Sequence, residues 1–180
     1  TSQFPDKPKE EIRILDIGTG PGFFPVILAE AGYHVDAVDY TEGMLEKAKE
    51  NAGDLCRNIR FLRMDAQKLD FEDNTFDVVI SRNLTWNLEH PDVAYREWVR
   101  VLKVGGRLLN FDANWYGYLY EEEQRKAYEN DRKNVENNSL DDHYLCTDIE
   151  RMERIALQVP LSKISRPQWD VKTLREAGLL

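Results

Sequence analysis

The feature that most limits the fold is a run of apolar residues that stops abruptly at a cluster of glycines. Residues 12–17 are apolar apart from Arg13 and Asp16, and Gly18, Thr19, Gly20, Pro21 and Gly22 follow at once. A short apolar run closed by a turn signal reads as a strand buried on both faces. The next stretch, 23–31, reads as an apolar helix with Gly32 as its C-terminal stop. Strand, glycine turn and helix in that order open a βαβ unit, whose crossover is right-handed.

The alternation continues. Residues 34–39 form a second strand, and Thr41 can cap a helix running to about Ala52, with Met44, Leu45 and Ala48 on one face. Residues 59–64 and 76–81 are strands three and four, and the short polar connection 65–75 is a poor helix candidate. Pro91 opens a helix through Leu102, and Gly105 and Gly106 turn the chain into strand five, 107–112. This order implies an α/β fold with a doubly wound, mostly parallel sheet covered by helices on both faces.

Beyond Asp112 the texture changes. Trp115, Tyr116, Tyr118 and Tyr120 crowd one short stretch, and a highly charged helical segment, 121–138, follows. Thr147 and Glu150 have the spacing of a capping box opening a helix to about Gln158. After a loop at 162–167, a last short helix occupies 170–177, with Gly178 at its stop. The reading is one domain over 1–180: a core at about 12–112, a helical insertion or cap at about 114–168, and a polar leader, 1–11, without a core of its own.

Composition removes several function classes. A formal net charge of -9 disfavours a phosphate backbone as partner, so no nucleic acid is expected. The two cysteines, Cys56 and Cys146, lie far apart without metal-ligand spacing, so no metal is expected. No apolar run approaches the length of a bilayer span, and no signal peptide opens the chain. The expectation is a cytoplasmic protein with no membrane partner.

The chemistry concentrates at the glycine turn. Gly18, Gly20 and Gly22 let the backbone turn tightly and let a ligand lie against it, at the crevice where open α/β sheets bind ligands. Strand two ends in Asp39, which can accept hydrogen bonds from both hydroxyls of a ribose. A dinucleotide fingerprint needs glycine at the third position of G-x-G-x-x-G. Counting from Gly18 that residue is Phe23, which disfavours an NAD-dependent oxidoreductase and suits a nucleoside without a pyrophosphate.

Residues 14–39, together with Asp65 and Ala66, Phe76 and Asp77, and the run from Arg100 to Gly106, resemble class I S-adenosylmethionine (SAM)-dependent methyltransferases. The resemblance is to the broad group that modifies small molecules, and covers roughly 12–112. It implies a Rossmann-like methyltransferase fold and SAM as cofactor. By that resemblance Gly18, Gly20 and the backbone around Thr19 pass the methionine portion of SAM, with Asp16 near its amino group. Asp39 holds the ribose, Tyr40 lies against the adenine face, and Met44 is nearby. Asp65 accepts from the adenine amine and the Ala66 amide approaches a ring nitrogen. Arg82, Asn83 and Leu84 line the methionine end and face the substrate, with Trp86 as possible wall. The family's usual proline before the Gly-Gly pair is Val104 in this chain, a change with little consequence. The family sheet also continues into an antiparallel hairpin, so completion of the sheet is expected beyond Leu180.

The implied reaction is in-line transfer of the sulfonium methyl to a small-molecule acceptor. Catalytically silent SAM-binding partner or regulatory module is the alternative. A base is needed only for an acceptor protonated at working pH. Asp112, His90, His143 and the tyrosines at 116, 118 and 120 are candidates, with Asp112 favoured by its place at the end of strand five. The aromatic stretch after Asp112 is expected to form the hinge and wall of the substrate pocket.

Overall fold

The structure is a computed structural model that describes residues 3–138 and 148–179. Five strands form one sheet: β1 (Arg13–Ile17), β2 (His34–Asp39), β3 (Ile59–Arg63), β4 (Phe76–Arg82) and β5 (Leu102–Phe111). All are parallel, in the order β3-β2-β1-β4-β5. The order reverses between β1 and β4, and that reversal places the ligand crevice at their carboxyl ends.

The pleat sends alternate residues to opposite faces. Leu15 and Ile17 pack with Phe76, Val79, Trp98 and Val101 on one face, under α3 (Pro91–Val101). Ile14 packs with Leu28, Val35, Val78 and Ile80 on the other, under α1 (Phe23–Glu30). Ala29, Ala37, Ala52 and Ile59 extend that second face beneath α2 (Glu42–Ala52). Small side chains there let α1 and α2 approach the sheet closely. As expected, residues 65–75 form no helix; their one ladder contact is a bridge from Asp65 to Lys68.

Three local expectations change. Strand β5 begins at Leu102, before the glycine pair, because Leu102 already pairs with Phe76. The ladder then resumes at Val78 and Arg107, so residues 103–106 form a bulge within the strand rather than a turn before it. The leader is also pinned to the core. Phe4 meets Tyr33 edge-on at 5.3 Å, and Lys7 reaches Asp77 at 2.6 Å. Asp77 additionally accepts from Lys103 and the Arg13 amide. Burial alone would raise the Asp77 carboxyl, but these bonds outweigh it and hold it at about 2. Thr41 does occupy the N-cap of α2, but its hydroxyl makes no capping bond.

After β5 come α4 (Glu122–Asn138), α5 (Ile149–Ala156) and α6 (Gln168–Glu176). Asp148 caps α5 by accepting from the Arg151 amide at 2.9 Å; Thr147, Cys146 and His143 lie outside the described residues. Helix α6 returns to α3, where Trp169 and Leu174 join the first face of the core. Among the described residues no helix is long and apolar enough to cross a membrane.

Candidate active site

The carboxyl ends of the first four strands open into a cleft of about 690 Å³. The residues expected to meet the cofactor all reach its lining, and the described base candidates do not. Asp16, Gly18, Thr19 and Gly20 come from the end of β1 and its turn. Asp39, Tyr40 and Met44 come from the end of β2 and the start of α2. Asp65 and Ala66 follow β3, while Arg82, Asn83 and Leu84 follow β4.

Hydrogen bonds from a neighbouring strand shape the turn. The amides of Gly18 and Thr19 both donate to the Val38 carbonyl, at 2.9 and 3.0 Å. Gly20 donates to Asp39 Oδ2 at 2.9 Å, and Asp39 Oδ1 accepts from the Thr41 amide at 2.9 Å. Asp39 therefore organises the turn as well as facing the cleft, and a carboxylate with four lone-pair sites keeps capacity for two hydroxyls. Gly18 adopts φ +69°, and a Cβ there would lie 2.6 Å from Leu84 Cδ2. The left-handed backbone favours glycine at that point, and a side chain there would also have to displace Leu84.

Asp16 is the most perturbed acid of the site. Its residue is 2% exposed. Burial raises its carboxyl; the Thr19 hydroxyl lowers it, Asp39 raises it, and the balance stands at about 7. The buried Thr19 hydroxyl stands close enough to Asp16 to lower it, but makes no hydrogen bond of good geometry to any group. Among the described residues no lysine or arginine forms an ion pair with Asp16. A buried acid without a cation, next to an unpartnered hydroxyl, is a site that an ammonium-bearing ligand would complete.

At the β4 end the rim is partly aromatic. Arg82 lies 4.4 Å from the centroid of Phe23, and it is the basic side chain of the lining. Asn83 takes φ +52° and donates its amide to the Phe111 carbonyl at 2.9 Å. Phe23, Phe24, Gln67, Asn87, Leu88 and Glu89 also line the cleft and escape a reading by periodicity. Phe23 and Phe24 read as helix core, yet they stand at the first turn of α1, which faces the crevice. Gln67 had a weak signal, a polar residue just past a strand end. Its amide and Nε2 donate to Asp65 Oδ1 at 2.8 and 3.2 Å, and its Oε1 accepts from the His90 amide at 2.7 Å.

The base candidates go elsewhere. The Asp112 side chain is 1% exposed and pairs with Arg166 at 3.0 Å, while also accepting from the Trp86 and Ala113 amides. It stands behind the cleft wall with its carboxylate already engaged. His90 is exposed at the N-cap of α3, 3.7 Å from Glu89, outside the lining. The aromatic stretch does not form the pocket wall expected of it, because its rings pack on one another. Trp86 meets Tyr116 at 5.3 Å, and Tyr118 stacks on Tyr128 at 4.1 Å. The Tyr118 hydroxyl donates to Glu153 at 2.9 Å; burial and that carboxylate push its phenol well above the usual range. These rings join the end of β4 to the helical segment and do not line the cleft.

Residues 15–110, more than half of the chain, match the family described as the methyltransferase domain. The chain belongs to that methyltransferase family. A demethylmenaquinone methyltransferase from Clavibacter sepedonicus is 41% identical over 98 residues, which cover 54% of this chain and 39% of that protein. The chain thus spans about two fifths of the length of the curated relatives it matches. An S-adenosylmethionine dependent methyltransferase from Mesorhizobium loti superposes with TM-score 0.56 at 26% identity, covering 65% of this chain and 53% of that one. A chain of the complex between the Haloferax volcanii Trm112 methyltransferase activator and its methyltransferase covers 98% of this chain and 64% of its own length. With TM-score 0.68 and 21% identity, it shows the fold alone. The methyltransferase sheet expected from the glycine turn is therefore the one observed, in all five strands.

Proposed function

We propose that the cleft binds SAM and directs methyl transfer to a small organic acceptor entering at the β4 end. The carrying observation is the pair of carboxylates flanking the glycine turn, Asp16 buried without a cation and Asp39 on the next strand. Asp16 would hold the amino group, and Asp39 the ribose hydroxyls. Tyr40 and Met44, both exposed at the rim, would flank the adenine, with Asp65 and the Ala66 amide at its edge. Held by these residues, SAM would supply an electrophilic sulfonium methyl for in-line transfer to the acceptor.

The protein's contribution is alignment. Holding two reactants in register can remove roughly 7–11 kcal/mol of a barrier. Arg82 and Asn83 face the acceptor, and the Arg82 guanidinium suits an acidic oxygen on it. With Asp112 and His90 outside the cleft, an acceptor that ionises readily, such as a phenol or an acid, fits best. The demethylmenaquinone methyltransferase relative makes a quinone-type ring the first acceptor class to try. In this reading residues 12–112 are the cofactor-binding core, and about 114–168 form its helical cap, within a single domain.

Isothermal titration with SAM, S-adenosylhomocysteine and NAD tests the cofactor. Binding of the first two and not the third is expected, and NAD binding without SAM would overturn the reading. Release of S-adenosylhomocysteine with a panel of phenols, acids and amines then tests turnover and acceptor class.

A further inference from the structure

Arg166 comes from the loop before α6, far along the chain from the cleft, yet its side chain is 7% exposed and meets Asp112, 1% exposed, at 3.0 Å. The same Asp112 oxygen accepts the Trp86 amide at 2.9 Å. Trp86 belongs to the turn Thr85–Asn87 that follows β4, and its indole Nε1 donates to the Asn83 carbonyl at 3.1 Å. Asn83 and Leu84 line the cleft, and Leu84 lies directly over Gly18. A second tie reaches the same turn: Asn110 Nδ2 donates to the Thr85 hydroxyl at 2.9 Å. The other end of the loop is anchored separately, through the His90 amide on Gln67. Arg166 is fixed in turn by Asp170, which takes its Nε at 2.8 Å and also accepts from Tyr95.

We propose that Arg166 is a positioning residue, which by neutralising buried Asp112 fixes the Trp86 turn and so sets Asn83 and Leu84 at the methionine end of the cleft. A buried ion pair is a costly means of gaining stability and is better suited to holding one geometry. Here it links the helical segment to the cleft wall, along a continuous path of Arg166, Asp112, Trp86 and Asn83. Arg166 thus acts on the site through Asp112, and neither residue lines the cleft.

This assignment rests on the cofactor reading above, and its test separates the two. Affinities for S-adenosylhomocysteine and for 5′-methylthioadenosine, which lacks the amino-acid end, are measured for the wild type, Arg166→Gln, and Arg166→Gln with Asp112→Asn. Arg166→Gln is expected to weaken S-adenosylhomocysteine about tenfold while leaving methylthioadenosine within about twofold. The double variant removes the charge stranded at Asp112 yet keeps an acceptor for Trp86, so it should recover most of the loss in ligand ratio; Asp170 loses Arg166 equally in both variants, and that effect cancels between them. Equal weakening of both ligands, or of neither, overturns the positioning role, because a merely structural residue would not change their ratio. If Arg166→Gln does not fold, Arg166→Lys is read in the same way. It keeps the charge without the planar fork, and an unchanged ratio counts against the role. A wild type that binds neither ligand overturns the cofactor reading instead, and the assignment with it.

Discussion

Asparagine at position 16 is expected to keep the fold and change how stability responds to pH. The Asp16 carboxyl is lifted from 3.8 to about 7, chiefly by burial and further by Asp39, against the lowering effect of Thr19. Because the folded-state value lies above the unfolded one, the native chain holds an extra proton between about pH 4 and pH 7. Stability from this group is greatest below that window, falls as pH rises through it, and is level above it. From pH 5 to pH 8, where the carboxyl goes from protonated to fully ionised, about two pH steps at about 1.4 kcal/mol each cost about 3 kcal/mol. Asparagine carries no charge to desolvate, so the variant should gain about 3 kcal/mol on the wild type between pH 5 and pH 8. For a domain of this size that corresponds to roughly 6–12 °C in Tm. Urea unfolding of both proteins at the two pH values measures it. A gap between them that is the same at both pH values would refute the argument that Asp16 is a buried, uncompensated anion. The same variant should bind S-adenosylhomocysteine at least about tenfold more weakly at pH 8, since a charge-assisted bond to the ammonium is lost. Stability and affinity would then move in opposite directions, as they do where a site stores an unmet demand for its ligand.

Gly18→Ala should cost about 1–3 kcal/mol, because φ is +69° and the new methyl meets Leu84 at 2.6 Å. Denaturation reads the cost, and titration with S-adenosylhomocysteine should show the cleft narrowed. Asp39→Ala should weaken that ligand about tenfold and remove about 1–3 kcal/mol, since the Gly20 and Thr41 amides lose their acceptor; unchanged affinity would remove Asp39 from the site. Asp77, held at about 2 by Lys103, Lys7 and the Arg13 amide, contributes stability that is present above about pH 4 and lost as pH falls toward 2. Asp77→Asn should therefore cost on the order of 2 kcal/mol at neutral pH and flatten the acid limb of the stability curve, as read by urea unfolding across pH.

Much of the site was legible because its residues are tied to local backbone events. Asp16 ends a strand, Gly18 and Gly20 form its turn, and Asp39 and Asp65 close the next two strands. In a parallel sheet those ends share one edge, so local position alone places them together. Phe23 and Phe24 were not legible as lining, since an apolar residue at a helix start looks the same whether it faces core or crevice. Asp112 misled for a related reason. Its strand end points to the active-site edge, but the sequence holds no sign that Arg166, more than fifty positions later, returns to neutralise it. The aromatic stretch around Tyr118 misled too, because dense rings serve a pocket wall and an inter-element stack equally well.

The sequence by itself determined the sheet, its order of strands and helices, and the glycine turn with its flanking acids. Those depend on period, turn chemistry and strand-end position, which act over a few residues. Tertiary structure alone decided which acids are free to meet a ligand. Among the described residues Asp16 has no cation beside it and Asp112 has one, and that difference comes from which distant side chains share a buried, low-dielectric space.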